Sequence, residues 1–364
     1  MRGFMTHKKS VLTLTSCILA AVMLLSTVSC SKNNSAQERK SKHKTDHDEP
    51  RITTSAETPS DQLTTVTTSI AEITTLQPDP DTISEEPLIT DYELPPICAA
   101  LYDFTDNCLL LSTDLYEPIY PASTTKILTS LFALTILDPD DICFIGDEQK
   151  LVAWDSSFAG IKKGENMSLE HLLYAMLLRS GNDAAYAVAA NCGRVLGDDP
   201  YTEENEGEAL SAEDAVNLFM DGINDFAFEI GMQNTHFVTP DGYHRDNHYT
   251  CLYDVLVMVK TALENDEIMK ITSTYQTSFT TVSGRKFSMK NTNSLLNPDS
   301  PYYMEGTIGL KTGFTSNAGG CVITVTQRDG HTVAALVYRA QNNTARFKHA
   351  YDLLNFAWET IGQQ

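Results

Sequence analysis

The sequence has too few basic residues to attract a polyanion. Its 26 Lys and Arg residues are outnumbered by 48 Asp and Glu residues, so the net charge is −22 over 364 residues. Proteins that bind nucleic acid neutralise phosphates with clustered Lys and Arg, and this balance therefore argues against a nucleic-acid partner. It also argues against direct adhesion to anionic lipid, and it mostly reflects solubility.

The sequence also lacks closely spaced cysteine pairs. None of the eight cysteines takes part in a Cys-x-x-Cys pattern. Structural zinc sites are commonly built from such pairs, so we expect no metal site. No disulfide pairing can be deduced, and we interpret the cysteines outside the N-terminal region as small buried apolar residues. They are Cys98, Cys108, Cys143, Cys192, Cys251 and Cys321.

Aromatic residues are absent from the stretch that runs from residue 31 to Tyr92. Ser, Thr, Pro, Asp and Glu dominate residues 31–95, which therefore cannot bury enough apolar surface to offset their ordering entropy. We predict a disordered tether that spans roughly 45 Å root-mean-square. Residues 96–364 have the apolar density of a folded core. At about 270 residues they are long for one simple core, so we expect one unit with an inserted subdomain.

Residues 1–30 have the composition of an export signal. Basic residues precede an apolar run over residues 11–25, and small residues then lead to Cys30. This order resembles a bacterial lipoprotein signal, in which the cysteine is diacylated, although Thr27 stands where such signals usually carry Leu. Ordinary cleavage and retention as a membrane helix are alternatives, but the run is short for a spanning helix. We favour lipidation of Cys30 and an extracytoplasmic protein anchored in the membrane.

Hydrophobic periodicity predicts strands at both ends of the folded part and helices between them. Asp329-Gly330 is a strong hairpin signal, and Ser211 has the position and side chain of a helix N-cap. The predicted strands cover residues 97–103, 108–111, 320–326 and 332–338. The predicted helices begin at or near Ser123, Ser168, Ser211 and Ala345. This arrangement indicates an antiparallel sheet built from the two ends, with a helical insertion and no internal repeats.

One of these helices opens with the pattern Ser123-Thr124-Thr125-Lys126. Residues i and i+3 share a helix face, so the Lys126 amine is expected beside the Ser123 hydroxyl. A serine hydroxyl is a poor nucleophile at neutral pH and needs a neighbouring base. A partly desolvated lysine is neutral often enough to act as that base. Alone the pattern is weak, because the same spacing recurs at Ser41 and Ser283.

Two further short patterns follow in the sequence. Ser180-Gly181-Asn182 offers a hydroxyl for proton transfer and an amide that would hold a substrate or the lysine. Lys311-Thr312-Gly313 combines a cation, a hydroxyl and a glycine that lets a ligand approach the backbone. Each tripeptide is common by chance, but the three occur in a fixed order at the start of a helix, at the end of a helix and in a strand.

Together these patterns resemble the penicillin-binding proteins and serine β-lactamases. Longer matches narrow the resemblance to the low-molecular-mass D-Ala-D-Ala carboxypeptidases and extend over about residues 94–360. The resemblance implies an α+β fold of the β-lactamase/DD-peptidase type, with an antiparallel sheet flanked by helices and an inserted helical subdomain. Residues 96–364 would form this catalytic domain. The matching segments are residues 121–126, 177–185, 239–242, 248–250 and 309–313.

The resemblance also implies catalytic roles. Ser123 would attack the carbonyl between two D-alanines of a peptidoglycan stem peptide, with Lys126 as the base. The backbone amides of Ser123 and Phe314 would form the oxyanion hole. Ser180, assisted by Lys311, would pass a proton to the leaving D-alanine. Water would then hydrolyse the acyl-enzyme without a cofactor, and β-lactams would act as inhibitors.

Substrate-binding roles follow from the same resemblance. Asn182 would position Lys126 and the substrate amide, while Lys311, Thr312 and Arg346 would bind the terminal carboxylate. Gly313 would let the substrate lie against the strand. His248 is interpreted as a structural hydrogen-bonding residue rather than a catalyst.

The chain departs from the family pattern at three places. Some relatives carry a β-rich domain and an amphipathic helix after the peptidase domain, and we expect neither here because the last helix ends close to Gln364. The acidic run at residues 198–208 is expected to be an inserted, solvated loop. Phe314 offers the oxyanion site only its backbone amide, whereas some relatives have a side-chain donor there.

Three alternative functions remain open at this point. A β-lactamase of class A usually has Asp in place of Gly181, and it needs a glutamate that holds the deacylating water. A D,D-endopeptidase uses the same residues in a more open cleft. A non-catalytic wall-binding or penicillin-sensing lipoprotein would not need intact Ser123, Lys126 and Ser180, so their presence speaks against it.

Overall fold

A computed structural model describes residues 82–198 and 210–362 of the chain. The predicted signal, Cys30, residues 31–81 of the predicted tether and almost all of the acidic run lie outside these residues. Within them, no helix is both long enough and apolar enough to cross a membrane.

The described residues contain nine strands and seven α-helices. The strands are β1 (Cys98–Asp103), β2 (Cys108–Ser112), β3 (Ile142–Phe144), β4 (Asn166–Ser168), β5 (Gln276–Thr280), β6 (Lys286–Lys290), β7 (Thr307–Thr315), β8 (Gly319–Arg328) and β9 (His331–Ala340). The helices are α1 (Thr125–Ile136), α2 (Leu169–Leu178), α3 (Asn182–Leu196), α4 (Ala212–Glu229), α5 (Leu252–Leu263), α6 (Asp266–Thr272) and α7 (Ala345–Ile361).

The main sheet has five strands in the order β2-β1-β9-β8-β7. All of its neighbouring strands are antiparallel. The first two strands and the last three along the chain therefore form one sheet, and helices α1 to α6 lie between them in the sequence. The predicted α+β fold with a helical insertion is confirmed.

The two faces of this sheet support two apolar clusters. Side chains alternate along each strand, so Ala99 and Leu101 point to one face while Ala100 and Tyr102 point to the other. Helix α7 covers the first face, where its buried side chains pack on β1, β8 and β9. The second face packs against α1 and the rest of the helical insertion. Helix α1, which directly follows Ser123, therefore lies on the opposite side of the sheet from α7.

Several local predictions are confirmed by the described elements. The Ser211 hydroxyl caps α4 by accepting a hydrogen bond from the Asp214 amide at 3.1 Å. The Ser168 hydroxyl caps α2 in the same way, from the His171 amide at 3.3 Å. The turn at Asp329-Gly330 joins β8 to β9. The six cysteines are free thiols, and all but Cys108 are buried.

The structure places residues 82–94 on the folded domain, although the sequence pattern assigns them to the tether. Ile83 is only 5% exposed. The amides of Leu88 and Ile89 donate to backbone carbonyls of β2 at 2.9 Å each. The Tyr92 ring lies 4.5 Å from that of Phe356 in α7. The boundary at residue 95 is therefore too late, because a few well-placed apolar residues anchor an otherwise polar segment.

Candidate active site

Ser123 lies in a short 3₁₀ turn, Ala122–Thr124, that leads directly into α1. Lys126 is in the first turn of that helix, so its amine reaches back and donates to Ser123 Oγ at 2.9 Å. Ala122 has a φ of 48°, an unusual conformation for a residue with a side chain. This conformation presents Ser123 at the mouth of a cleft while Lys126 stays beneath it.

Lys126 is completely buried and held by three oxygens. Besides Ser123 Oγ, its Nζ donates to Asn182 Oδ1 at 2.8 Å and to the Asp241 carbonyl at 2.7 Å. Burial disfavours the charged form and lowers the pKa of Lys126 to about 8, while the charges of Asp241 and Asp183 act in the opposite direction. The amine is therefore fixed in space and readily deprotonated.

A second buried lysine stands beside the second motif. Lys311, in β7, donates to Ser180 Oγ at 2.9 Å and to the Thr312 carbonyl at 2.7 Å. Burial lowers its pKa well below the usual value, and the nearby Lys126 and Arg346 lower it further. Ser180 itself has a φ of 58° in the bend between α2 and α3, which turns its hydroxyl toward the strand. The three sequence motifs thus meet through lysine hydrogen bonds.

The edge of β7 approaches Ser123 very closely. A Cβ atom placed on Gly313 would lie 2.8 Å from the Ser123 amide nitrogen and 2.9 Å from Ala122 Cβ. Only glycine fits there without displacing the strand or the turn. Phe314 follows in the strand, and its ring is 47% exposed at the rim of the cleft. The two residues whose amides are predicted to form the oxyanion hole, Ser123 and Phe314, therefore line the same cleft.

Two of the predicted carboxylate-binding residues, Lys311 and Thr312, lie on β7, and the third, Arg346, lies at the start of α7. Thr312 Oγ1 is hydrogen-bonded to Thr292 Oγ1 at 2.6 Å. Arg346, in the first turn of α7, is buried, and its Nη1 donates to the Gly313 carbonyl at 2.5 Å. Burial lowers the pKa of Arg346 to about 10. Arg346 lines the cleft, and its Nε has no hydrogen-bond partner among the described residues.

His248 supports the nucleophile turn from behind. Its Nδ1 accepts from the Val238 amide at 3.1 Å, so the ring proton lies on Nε2. That nitrogen donates to Thr125 Oγ1 at 2.9 Å, and the hydroxyl in turn donates to the Ala122 carbonyl at 2.9 Å. Burial lowers the pKa of His248 to about 3. The ring is therefore a neutral structural element, as its sequence context predicts.

These residues surround an open cleft of about 550 Å³. One wall carries Ser180, Asn182 and the loop before α3, and the opposite wall is β7. A third group of lining residues, at positions 242–244, follows Asp241, whose carbonyl holds Lys126. All the predicted site residues of the folded part except the two lysines border this space, and both lysines lie immediately beneath it.

Sequence reasoning missed several residues of this site. Thr292 supports Thr312, and the carbonyl of Asp241 holds Lys126, although its segment is part of the resemblance. The Asp183 carboxylate accepts hydrogen bonds from the amides of residues 159, 160, 161 and 184. The sequence offers a signal for Asp183, which directly follows the second motif, and for Asp241, which lies in a matching segment, but none for Thr292.

Comparisons with known sequences agree with the geometry. Residues 93–194 and 211–342 match the family described as D-alanyl-D-alanine carboxypeptidase. DacF of Bacillus subtilis, a D-alanyl-D-alanine carboxypeptidase by name, is 28% identical over 264 residues, which cover 71% of this chain and 61% of DacF. The chain therefore spans about three fifths of the length of that relative.

Solved structures show the same similarity. The DD-transpeptidase of Streptomyces K15 superposes with a TM-score of 0.64 at 26% identity, and the match covers 74% of this chain and 100% of that one. Penicillin-binding protein D2 from Listeria monocytogenes, solved with ampicillin bound, superposes with a TM-score of 0.55 at 26% identity over 71% of this chain and 95% of that one. Because the family match extends over more than half of its length, this chain belongs to the D-alanyl-D-alanine carboxypeptidase family.

Proposed function

We propose that this protein is a serine-type D-Ala-D-Ala carboxypeptidase that removes the terminal D-alanine from peptidoglycan stem peptides through an acyl-enzyme. One observation carries the proposal. A buried lysine with a pKa near 8 donates a 2.9 Å hydrogen bond to an accessible serine hydroxyl at the mouth of a cleft. A base in this position makes the hydroxyl a nucleophile at neutral pH.

Acylation begins when neutral Lys126 takes the proton of Ser123. With a pKa of about 8, roughly one tenth of the lysine is neutral at pH 7. Ser123 Oγ then attacks the carbonyl carbon of the penultimate D-alanine, and negative charge develops on the carbonyl oxygen. The amides of Ser123 and Phe314 stabilise that charge, and they need no reorganisation because strand and turn hold them in place.

The leaving group departs from the side where Ser180 stands. As the peptide bond breaks, the Ser180 hydroxyl gives its proton to the nitrogen of the terminal D-alanine. Ser180 recovers a proton from Lys311, whose amine lies 2.9 Å from its oxygen. Lys311 and Thr312 on β7 and Arg346 at the start of α7 bind the terminal carboxylate. Asn182 holds Lys126 and the substrate amide.

Deacylation repeats the first step with water as the nucleophile. First Lys126 releases to solvent the proton that it gained in acylation, and Lys311 regains a proton from solvent. Neutral Lys126 then withdraws a proton from a water molecule, which attacks the ester carbonyl. As the ester bond breaks, Lys126 gives this proton to Ser123 Oγ. None of these steps calls for a metal ion or an organic cofactor. β-Lactams contain an amide that the same serine attacks, so we propose that they acylate Ser123 and inhibit the enzyme.

The proposed place of action is outside the cytoplasm. The N-terminal pattern supports export and lipid attachment at Cys30, and residues 31–81 would link the anchor to the domain. Labelling cells with a radioactive fatty acid tests this directly. The wild-type chain is expected to carry the label and a Cys30→Ala variant is not. A labelled Cys30→Ala variant, or an unlabelled wild-type chain, would contradict the anchor.

The activity is tested by incubating the full-length protein with Nα,Nε-diacetyl-L-Lys-D-Ala-D-Ala and measuring free D-alanine with and without penicillin. We expect release that penicillin blocks. The Ser123→Ala variant should release no D-alanine and bind no fluorescent penicillin, while its circular dichroism stays that of the wild type. Labelling of Ser123 by penicillin without release of D-alanine would instead favour an endopeptidase or a penicillin sensor.

A further inference from the structure

The residues that line the active-site cleft include one carboxylate. Arg179, His244 and Arg346 are the lining side chains that carry or can take positive charge, and Asp155 is the only acidic residue among those described. The protein has 48 acidic residues, but only one of those within the described ranges lines the cleft. A substrate with a terminal carboxylate therefore meets little repulsion from like charges there.

Asp155 is held in a defined position at the rim. Its Oδ1 accepts a hydrogen bond from the Tyr243 hydroxyl at 3.0 Å. Its Oδ2 accepts no hydrogen bond from any residue in the described ranges, so this oxygen is free to bind a ligand. The carboxylate is exposed to solvent at the rim of the cleft.

Two connections tie this pair to the catalytic groups. The carbonyl of Ser157, two residues after Asp155, accepts from the Asn182 amide at 2.8 Å. Tyr243 comes two residues after Asp241, whose carbonyl binds Lys126. The Asp155–Tyr243 hydrogen bond therefore joins the loop beside Asn182 to the segment behind the nucleophile.

The direction of the substrate follows from the proposed function, on which this inference rests. The terminal carboxylate lies at Lys311 and Thr312, and the carbonyl under attack lies at Ser123. The acyl portion of the peptide therefore extends from Ser123 away from Lys311. Asp155 and Tyr243 line the same cleft, and their near neighbours Ser157 and Asp241 contact Asn182 and Lys126. In an uncross-linked stem peptide, the residue before the two D-alanines carries a free side-chain amine.

We propose that Asp155 binds the side-chain ammonium of the residue that precedes the two D-alanines. Tyr243 is a positioning residue, since its hydroxyl orients the carboxylate. When a stem peptide is cross-linked through this amine, the amine becomes an uncharged amide. The amide forms no ion pair with Asp155. Asp155 thus favours stem peptides whose third residue has a free amine.

The test compares two peptides that differ in one acetyl group. Nα-acetyl-L-Lys-D-Ala-D-Ala has a free ε-ammonium, and the Nα,Nε-diacetyl peptide does not. We expect the full-length wild-type protein to show a kcat/KM about two- to fivefold higher for the free amine, as suits an exposed ion pair. Added salt should reduce this preference because the pair is exposed to solvent.

The Asp155→Asn variant should lose the preference through a lower kcat/KM on the free-amine peptide, and Asp155→Lys should reverse it. Asp329→Asn is the matched control. It removes one surface carboxylate at a hairpin turn whose positive φ suits asparagine, and it should keep the wild-type ratio.

Each outcome has a separate meaning. Equal kcat/KM values for the two peptides on the wild-type protein would overturn this inference and leave the proposed function standing. A preference that survives in Asp155→Asn would do the same. Absence of D-alanine release from both peptides would overturn the proposed function and this inference together.

Discussion

Two lysine side chains are almost completely buried, and neither has a carboxylate within hydrogen-bond distance among the described residues. Lys126 and Lys311 instead donate to hydroxyl, amide and carbonyl oxygens. Burial without a counter-ion is costly for a cation, and the protein lowers this cost by making deprotonation easier. Burial of the two lysines therefore destabilises their charged forms and, for the same reason, lowers their pKa values and prepares them for proton transfer.

The pKa of Lys126 predicts how acylation depends on pH. If neutral Lys126 is the base, the second-order rate of acylation by penicillin should rise about tenfold per pH unit below pH 8 and level off above it. A Lys126→Arg variant keeps the charge but does not deprotonate. Its rate should fall by a factor of about 100 to 10,000. Stopped-flow measurement with a fluorescent penicillin reports both quantities.

The surface substitution Lys162→Arg is the control for this experiment and should leave the rate and its pH profile unchanged. A wild-type rate that is flat between pH 6 and pH 9 would exclude Lys126 as the base.

His248 predicts a loss of stability in acid. Its pKa is about 3 in the folded protein and about 6.5 in the unfolded chain. Above pH 6.5 the ring is neutral in both states. Between these two values only the unfolded state binds the proton, so the free energy of unfolding falls as pH falls, by about 1.4 kcal/mol per pH unit. Urea unfolding at a series of pH values should show a shallower dependence for His248→Gln than for the wild type.

His331 provides a control, because its contribution to the free energy of unfolding should depend on pH in the opposite direction. A hydrogen bond from its ring to the Asp103 carboxylate raises the pKa of His331. Its contribution is therefore present at low pH and lost as pH rises. His331→Gln should lower stability mainly in acid, and identical slopes for all three proteins would refute the assignment of both histidines.

At the scale of elements, the loop between α2 and α3 and the loop that precedes β4 form one wall of the cleft. The second motif both ends α2 and begins α3, whereas the sequence pattern predicts only the first of these helices. A single buried carboxylate connects the two segments. Asp183 accepts from the amides of Ala159, Gly160 and Ile161, at 2.7 to 3.0 Å, and from that of Ala184.

Asp183→Asn should loosen this wall. Each carboxylate oxygen accepts two amide hydrogen bonds, and the amino group of asparagine would face two of those donors instead. We expect the free energy of unfolding to fall by about 2 to 4 kcal/mol, with faster hydrogen exchange at residues 159–161. Asp147→Asn, on the surface beside Lys163, is the matched control and should cost less than about 1 kcal/mol. A similar loss in both variants would contradict the anchoring role.

At the scale of the whole molecule, the segment over residues 82–94 belongs to the domain and not to the tether. It contributes Ile83 to the core, and the Ser84 amide donates to the Tyr102 hydroxyl at 2.8 Å. The same Tyr102 hydroxyl donates to Asn107 in the turn between β1 and β2. The segment thus supports the first hairpin of the sheet from outside.

Ile83→Ala in the full-length protein should lower the free energy of unfolding by about 2 to 5 kcal/mol, the range for removing a buried aliphatic side chain. Leu88→Ala, at a side chain that is 55% exposed, is the control and should cost less than about 1 kcal/mol. Chemical denaturation measures both, and equal losses would show that the segment does not pack as described.

Much of the fold follows from patterns within short stretches of sequence. Helix caps such as Ser211, the hairpin at Asp329-Gly330 and the apolar runs of β8 and β9 depend on neighbours only a few residues away. Elements without such signals were missed. The two-stranded sheets β3-β4 and β5-β6 are short, and the alternating pattern of a short strand is hard to distinguish from chance.

The sequence by itself determined that Ser123 and Lys126 lie close together, because they are three positions apart at the start of a helix. Only the tertiary structure decided how Lys126 meets Asn182 and Asp241, 56 and 115 positions away, and how Lys311 meets Ser180 across 131. It also placed Asp155 against Tyr243 across 88 positions. Local geometry follows from backbone bonding, whereas contacts over such separations exist only once the sheet and the helical insertion have packed.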